Sequence, residues 1–149
     1  MVIAVDFDGT IVEHEYPKIG REIPFAIDVL KRLQQEEYHQ LILWTVREGS
    51  LLDEAVEFCR QRGLEFYAVN SDDPADVEYD GKNSRKLKAD IFIDDRNLGG
   101  LPDWGVIYRM IKYGETYMEA INSAESEFAR KKKRNIFIRL GSRLEGRNG

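Results

Sequence analysis

Short apolar runs recur along this chain, and most of them end abruptly in a polar cluster. Val2-Ile3-Ala4-Val5 stops at Asp6-Phe7-Asp8-Gly9-Thr10, Leu41-Ile42-Leu43-Trp44 at Thr45-Val46-Arg47-Glu48-Gly49, and Ile91-Phe92-Ile93 at Asp94-Asp95-Arg96-Asn97. A further run lies within Leu64 to Val69. Runs of this length, apolar on both faces, are the pattern of strands in a buried parallel sheet. Between them the period changes. Pro24 can open a helix whose buried face is Ala26, Ile27, Leu30 and Leu33, through about Glu36. Ser50 is placed to cap a second helix, with Leu52, Ala55, Val56 and Cys59 inward and Gly63 as its stop. Thr116 to Lys132 has helical spacing through Tyr117, Ala120, Ile121, Ala124 and Phe128, and Val106-Ile107-Tyr108 reads as a short edge strand. Strands alternating with helices predict a three-layer α/β/α sandwich around a Rossmann-like, doubly wound and mainly parallel sheet.

The expected organisation is one domain over 1–134. Residues 11–23 form a small loop or hairpin flap, and residues 135–149 a tail. Ile136, Phe137, Ile138 and Leu140 make that tail too apolar to hang free, so it is expected to dock on the core or on a partner subunit. At 149 residues, 42% hydrophobic and 33% charged, the chain has the balance of a soluble globular domain. No apolar segment approaches the roughly 18 residues needed to span a membrane, and no signal pattern opens the chain, which predicts a cytoplasmic protein without a membrane partner. A net charge of −5 argues against a surface built to hold nucleic acid. The run Arg130-Lys131-Lys132-Lys133-Arg134 keeps that partner open, but at a helix C-terminus it also offsets the dipole, and a solvated face is favoured. Cys59 is the single cysteine and falls on an apolar helix face, so no intrachain disulfide forms and a buried, inert thiol is expected.

Candidate chemistry concentrates where the strands end. In a parallel sheet the carboxyl ends of strands line the ligand crevice, and three such ends supply Asp6 and Asp8, Thr45, and Asp94 and Asp95. Acids converging on one crevice repel unless a cation sits among them. Mg²⁺ prefers oxygen ligands and binds through carboxylates together with substrate phosphate. Zinc is disfavoured, because His14 and His39 are the only histidines and no Cys/His spacing is present. With charge cancelled, Asp6 becomes a candidate nucleophile towards phosphorus and Asp8, displaced by the turn, a candidate proton carrier. Gly9 lets the backbone approach a phosphate, and Thr10 caps or orients the loop.

Asp6-Phe7-Asp8-Gly9-Thr10 resembles the DxDGT signature of the haloacid dehalogenase superfamily of phosphohydrolases. Thr45 is similar to that superfamily's hydroxyl motif, a lysine ahead of the last strand to its third motif, and Asp94-Asp95 to its acidic fourth motif. The resemblance covers Val2 to about Tyr108. It implies Asp6 as nucleophile, Asp8 as general acid/base and as donor of a main-chain carbonyl oxygen to the metal, and Thr45 as a phosphate-binding group. It also implies a lysine that stabilises the transferring oxygens. Lys86 and Lys88 both suit the third motif, with Lys82 farther off; Lys86 is favoured because it leaves more chain to curl over the strand end. Asp95 is favoured as direct ligand, with Asp94 as ligand or supporting partner, so the metal set is Asp6, Asp8, Asp94 and Asp95. Gly9, Thr10, Arg47 and Lys88 are the candidate substrate-binding residues, and Phe7 is expected to contribute its backbone only.

Members of the superfamily commonly insert a cap domain after the first motif or between the second and third. Here the first gap holds only the flap, and the second is consumed by a helix, a strand and a loop, so the chain resembles a capless member. An open site takes a phosphorylated small molecule, a phosphorylated macromolecule, or a neighbouring subunit of a homo-oligomer as its lid. The expected function is Mg²⁺-dependent phosphomonoester hydrolysis through an aspartyl-phosphate. A nucleotidase or nucleic-acid-end phosphatase is the enzymatic alternative. A phosphate-binding protein without turnover, or a receiver-like signalling module, is the alternative of another class, although a receiver orders its aspartate and lysine differently. Other features have plainer readings. Arg47 is as readily ion-paired or solvated as phosphate-binding, Asp72, Asp73 and Asp76 form a solvated acidic loop, Trp44 and Trp104 pack, Arg96 and Asn97 position a loop, and His14 lies on the surface.

Overall fold

The computed structural model describes residues 1–75 and 86–145, with side chains described through Lys132. Asp76, Gly81 and Lys82 lie outside the described residues. The chain forms two compact units, Met1–Trp104 and Gly105–Gly149.

The first unit is built on a four-stranded, all-parallel sheet of β1 (Val2–Val5), β2 (Gln40–Leu43), β3 (Ala68–Val69) and β4 (Ile91–Ile93), in the order β3-β2-β1-β4. Helices α1 (Ala26–Gln35) and α2 (Gly49–Arg60) connect β1 to β2 and β2 to β3. Because β1, β2 and β3 follow one another along the sheet, the right-handed crossover rule puts both helices on one face. The chain then returns to pair β4 with the other side of β1, which creates a reversal of winding between β1 and β4. At such a reversal the loops diverge and open a crevice at the carboxyl edge.

Register explains why both faces of the runs are apolar. Val5 pairs with Leu43 and Ile93, so these residues share one face, and all three are buried. Ala4 pairs with Ile42 and Phe92, and Ile42 with Ala68; Ala4, Ile42 and Ala68 are buried on the other face with Leu87, and Val2, Trp44, Ala89 and Phe92 pack around them. Leu87 belongs to the return segment, whose Lys88 N–H donates to Asp72 Oδ1 just beyond β3 (2.7 Å). That bond ties the segment to the loop after β3 before Asp90 accepts from Val2 N–H at the start of β1 (2.8 Å).

Helix α1 buries Ala26, Ile27, Leu30 and Leu33, the face read from its spacing, together with Val29. Helix α2 begins one residue before Ser50, so Ser50 lies inside the helix instead of capping it, and Glu48 at the N-cap makes no side-chain capping bond. Its end is as expected: Gly63 has φ +74, and Leu64 N–H reaches back to Cys59 O (3.0 Å). The Cys59 thiol is buried and pushed up to about 12 by that burial, which keeps it inert at neutral pH. The flap is a hairpin: Val12 bridges antiparallel to Glu22, and Ile23 N–H bonds Ile11 O (2.9 Å).

Three expectations change. β3 is reduced to Ala68–Val69, the two residues in register with Ile42 and Leu43 of β2. Val106-Ile107-Tyr108 is helical, within α3 (Trp104–Tyr113). β-branched composition suggested a strand there, but Trp104, Ile107, Tyr108 and Ile111 carry the three/four spacing that a helix uses. Helix α4 runs unbroken from Tyr117 to Glu145, past Lys132 where the helical spacing was read to end. No proline interrupts that stretch, and Gly141 costs a helix only about 1 kcal/mol. No helix among the described residues is long and apolar enough to cross a membrane.

Leu43 is fully buried where β2 faces β1 and β3. Leu43→Ala is expected to lower unfolding free energy by about 2–5 kcal/mol through lost transfer energy and the cavity left behind. Urea denaturation followed by far-UV circular dichroism checks this.

Candidate active site

Strand pairing sets the position of the acids. Asp6 N–H bonds Ile93 O (2.9 Å), so the first residue past β1 is locked beside the last residue of β4. Asp94 and Asp95 follow at once, and Asp6, Asp94 and Asp95 each offer an oxygen such that the three atoms lie within 4.8 Å of one another. Both acids of the pair therefore reach the cluster, whereas the carboxylate of Asp8 points elsewhere.

The backbone after β1 is shaped to let Asp95 in. Gly9 has φ +90, and a Cβ there would strike Asp95 Oδ2 and lie 2.7 Å from its Cγ. Only glycine provides both that conformation and that space. Thr10 is fully buried and works as a strut: its hydroxyl accepts from Asp95 N–H (3.0 Å) and donates to Asp6 Oδ2 (3.4 Å), while its carbonyl accepts from Trp104 Nε1 (3.2 Å). Asp94 Oδ1 accepts from Arg96 N–H (2.8 Å), which tightens the turn after β4.

Electrostatically the cluster is under-neutralised. Asp6 is raised from the ordinary 3.8 to about 6, first by burial and then by the charges of Asp94, Asp95 and Asp8, with a Phe7 backbone hydrogen bond opposing the rise. Asp95 Oδ1 is buried and has no hydrogen-bond partner among the described residues. A buried carboxylate oxygen without a donor is costly. An oxygen-liganded divalent cation answers both observations, and the donor set, carboxylates without sulfur or imidazole, fits Mg²⁺.

Asp8 has a different partner. Arg47 donates from Nε to Asp8 Oδ2 (2.7 Å) and from Nη2 to Asp8 Oδ1 (2.6 Å), with Arg47 fully buried and Asp8 nearly so. The guanidinium also donates to Pro17 O (3.0 Å) and Lys18 O (2.8 Å) in the flap, and lies 5.1 Å from the Phe7 ring centroid and 5.4 Å from that of Tyr16. Of the two readings its sequence left open, Arg47 takes the ion-paired one, and it is buried, not offered to substrate. Phe7 adds more than backbone, since its buried ring also meets Phe58 edge-on at 5.8 Å.

Thr45 sits at the end of β2. Its N–H donates to Asn70 Oδ1 (2.8 Å), and its Oγ1 accepts from Arg47 N–H (3.2 Å). Asn70 has φ +52, and its own N–H bonds Leu43 O (2.8 Å), so it pins the loops after β2 and β3 together. Asn70 is not singled out by the sequence pattern; an asparagine directly after a strand was the available signal, since asparagine tolerates left-handed backbone. Lys86 and Lys88 are both exposed on the segment that leads to β4, so either remains the candidate for the third motif. His14 is exposed in the flap, and Trp104 is buried, as their plainer readings held.

Two outcomes follow. Arg47→Met leaves the Asp8 carboxylate buried without its counter-charge and is expected to cost about 3–5 kcal/mol in urea unfolding, more than a surface ion-pair deletion does. The Asp6 carboxyl titrates higher folded than unfolded, so its stabilising contribution is full below 3.8 and is lost as pH rises to about 6. Subtracting the stability curve of Asp6→Asn from that of the wild type in EDTA should isolate this fall, and saturating Mg²⁺ should flatten it.

No protein-family model matches the chain, and no curated protein matches it. Among solved structures, one described as the structure of the conserved protein coded by locus from Bacteroides thetaiotaomicron aligns with a TM-score of 0.74 and 67% sequence identity, over 80% of this chain and 95% of that one. Identity at that level across nearly the full length of the matched protein is far beyond a shared fold alone, and the chain belongs to the same family as this conserved Bacteroides thetaiotaomicron protein.

Proposed function

We propose that the chain is a Mg²⁺-dependent phosphomonoester hydrolase of the haloacid dehalogenase type, without a cap domain, working through an aspartyl-phosphate on Asp6. The carrying observation is the cluster of Asp6, Asp94 and Asp95 at the β1/β4 reversal, with the buried Asp95 Oδ1 lacking a donor among the described residues. The capless reading is supported by the flap, a hairpin of few residues where the superfamily inserts one of its caps.

Asp6, Asp94, Asp95 and the main-chain carbonyl of Asp8 are the groups that would hold the ion, which when bound neutralises the acids and the phosphoryl oxygens. Asp6 attacks phosphorus, and the phosphorus–ester oxygen bond breaks with its electron pair going to the leaving oxygen. Asp8 supplies the proton that this oxygen takes up. Water then attacks the phosphorus of the aspartyl-phosphate and gives a proton back to Asp8, while the Asp6–phosphorus bond breaks and phosphate departs. Both oxygens of Asp8 accept from Arg47 in this structure, so one of them exchanges a guanidinium bond for the proton it carries. Arg47 is thus a positioning residue for Asp8. Thr45 Oγ1 accepts from Arg47 N–H, which keeps its own hydroxyl hydrogen for a phosphate oxygen. Lys86 or Lys88 brings positive charge to the transferring group from the return segment.

p-Nitrophenyl phosphate with Mg²⁺ tests the reading. Turnover is expected to vanish in EDTA, to fall at least about a thousandfold in Asp6→Asn, and to fall about 10²–10⁴-fold in Asp8→Asn. Equal rates in all four assays would refute it.

A further inference from the structure

Tyr16, Val46 and Leu98 are large apolar side chains standing in solvent, at 49%, 70% and 107% relative exposure. Singly such residues are ordinary on protein surfaces. Their distribution is the informative part: Tyr16 lies in the flap after β1, Val46 between Thr45 and Arg47 after β2, and Leu98 three residues beyond Asp95 after β4. Since β1 lies between β2 and β4, the loops that carry them flank the acidic cluster at the carboxyl edge.

Two of the three are held in place. The Arg47 guanidinium lies 5.4 Å from the Tyr16 ring centroid and bonds the carbonyls of Pro17 and Lys18, so the ion pair that fixes Asp8 also fixes the ring. Leu98 is presented by a turn in which Asn97 N–H bonds Asp94 O (3.3 Å) and Gly100 N–H bonds Asn97 O (2.8 Å).

We propose that Tyr16, Val46 and Leu98 form an apolar rim that seats the organic body of the substrate, and that the substrate class is a phosphomonoester whose phosphate is carried close to an aromatic ring. This deepens the phosphatase reading and rests on it. The Tyr16 ring, backed by a guanidinium, offers a stacking face, and Val46 and Leu98 add flat aliphatic contact. A polyol phosphate would bring hydroxyls to side chains of which only the Tyr16 phenol can hydrogen-bond, and would lose solvation there.

The test compares binding of phenylphosphonate and methylphosphonate by isothermal titration calorimetry with Mg²⁺, which needs no turnover. The full-length protein is expected to prefer phenylphosphonate by about tenfold, and Tyr16→Ala and Leu98→Ser to bring the ratio towards one. Tyr38→Ser, which removes an aromatic ring 87% exposed ahead of β2 at the opposite edge, controls for non-specific stickiness and should keep the preference. Equal affinity for the two phosphonates, or binding of neither, overturns the rim even if p-nitrophenyl phosphate is hydrolysed. A preserved preference without hydrolysis supports the rim and refutes the phosphatase reading. A dimeric wild type that Val46→Ser and Leu98→Ser convert to monomers, with no phosphonate preference, overturns the rim in favour of contact between copies of this chain.

Discussion

The buried ion pair between Arg47 and Asp8 ties together parts of the chain that sequence separation would leave independent. Asp8 belongs to the loop after β1, Arg47 to the loop after β2, and Pro17 and Lys18 to the flap, yet one guanidinium bonds all three segments. Taking an arginine and an aspartate out of water is expensive, and the bidentate geometry with the two extra carbonyl acceptors offsets that cost. The pair need not raise net stability over an apolar substitute. Its consequence is geometric: the flap, the β2–α2 loop and the turn after Asp6 share one anchor, and Asp8 is held away from the neighbouring acids.

That separation divides the acidic residues by environment. Asp6, Asp94 and Asp95 face one another, and their mutual repulsion with burial lifts Asp6 to about 6. Asp8, two residues from Asp6, is paired bidentately with the Arg47 guanidinium. The neighbouring acids thus differ in what they face: three carboxylates converge on one point, and the fourth is held by an arginine. Gly9 and Thr10 make the division possible, the first by leaving room for the Asp95 carboxylate and the second by tying Asp95 to Asp6 through one hydroxyl.

Much of this was legible along the chain. The apolar runs located the sheet, and the polar clusters at their ends located the crevice, because strands buried on both faces have nowhere but their ends to place charge. Misreadings arose where local composition and long-range partners disagree. Val106-Ile107-Tyr108 is β-rich by composition but helical by spacing, β3 is limited to the two residues in register with β2, and α4 continues where a change of composition suggested a boundary.

By itself the sequence determined the parallel α/β architecture of the sheet and the gathering of Asp6, Asp8, Thr45, Asp94 and Asp95 at one edge, because strand ends follow from hydrophobic pattern, while the order β3-β2-β1-β4 came from the tertiary structure. Tertiary structure alone decided how those residues are partnered: that Arg47 turns inward to Asp8, that both Asp94 and Asp95 join Asp6, and that Asn70 pins Thr45. The reason is physical. A side chain's partner is chosen by burial and distance across elements brought together from far apart in the chain, and neither quantity is written in the local pattern.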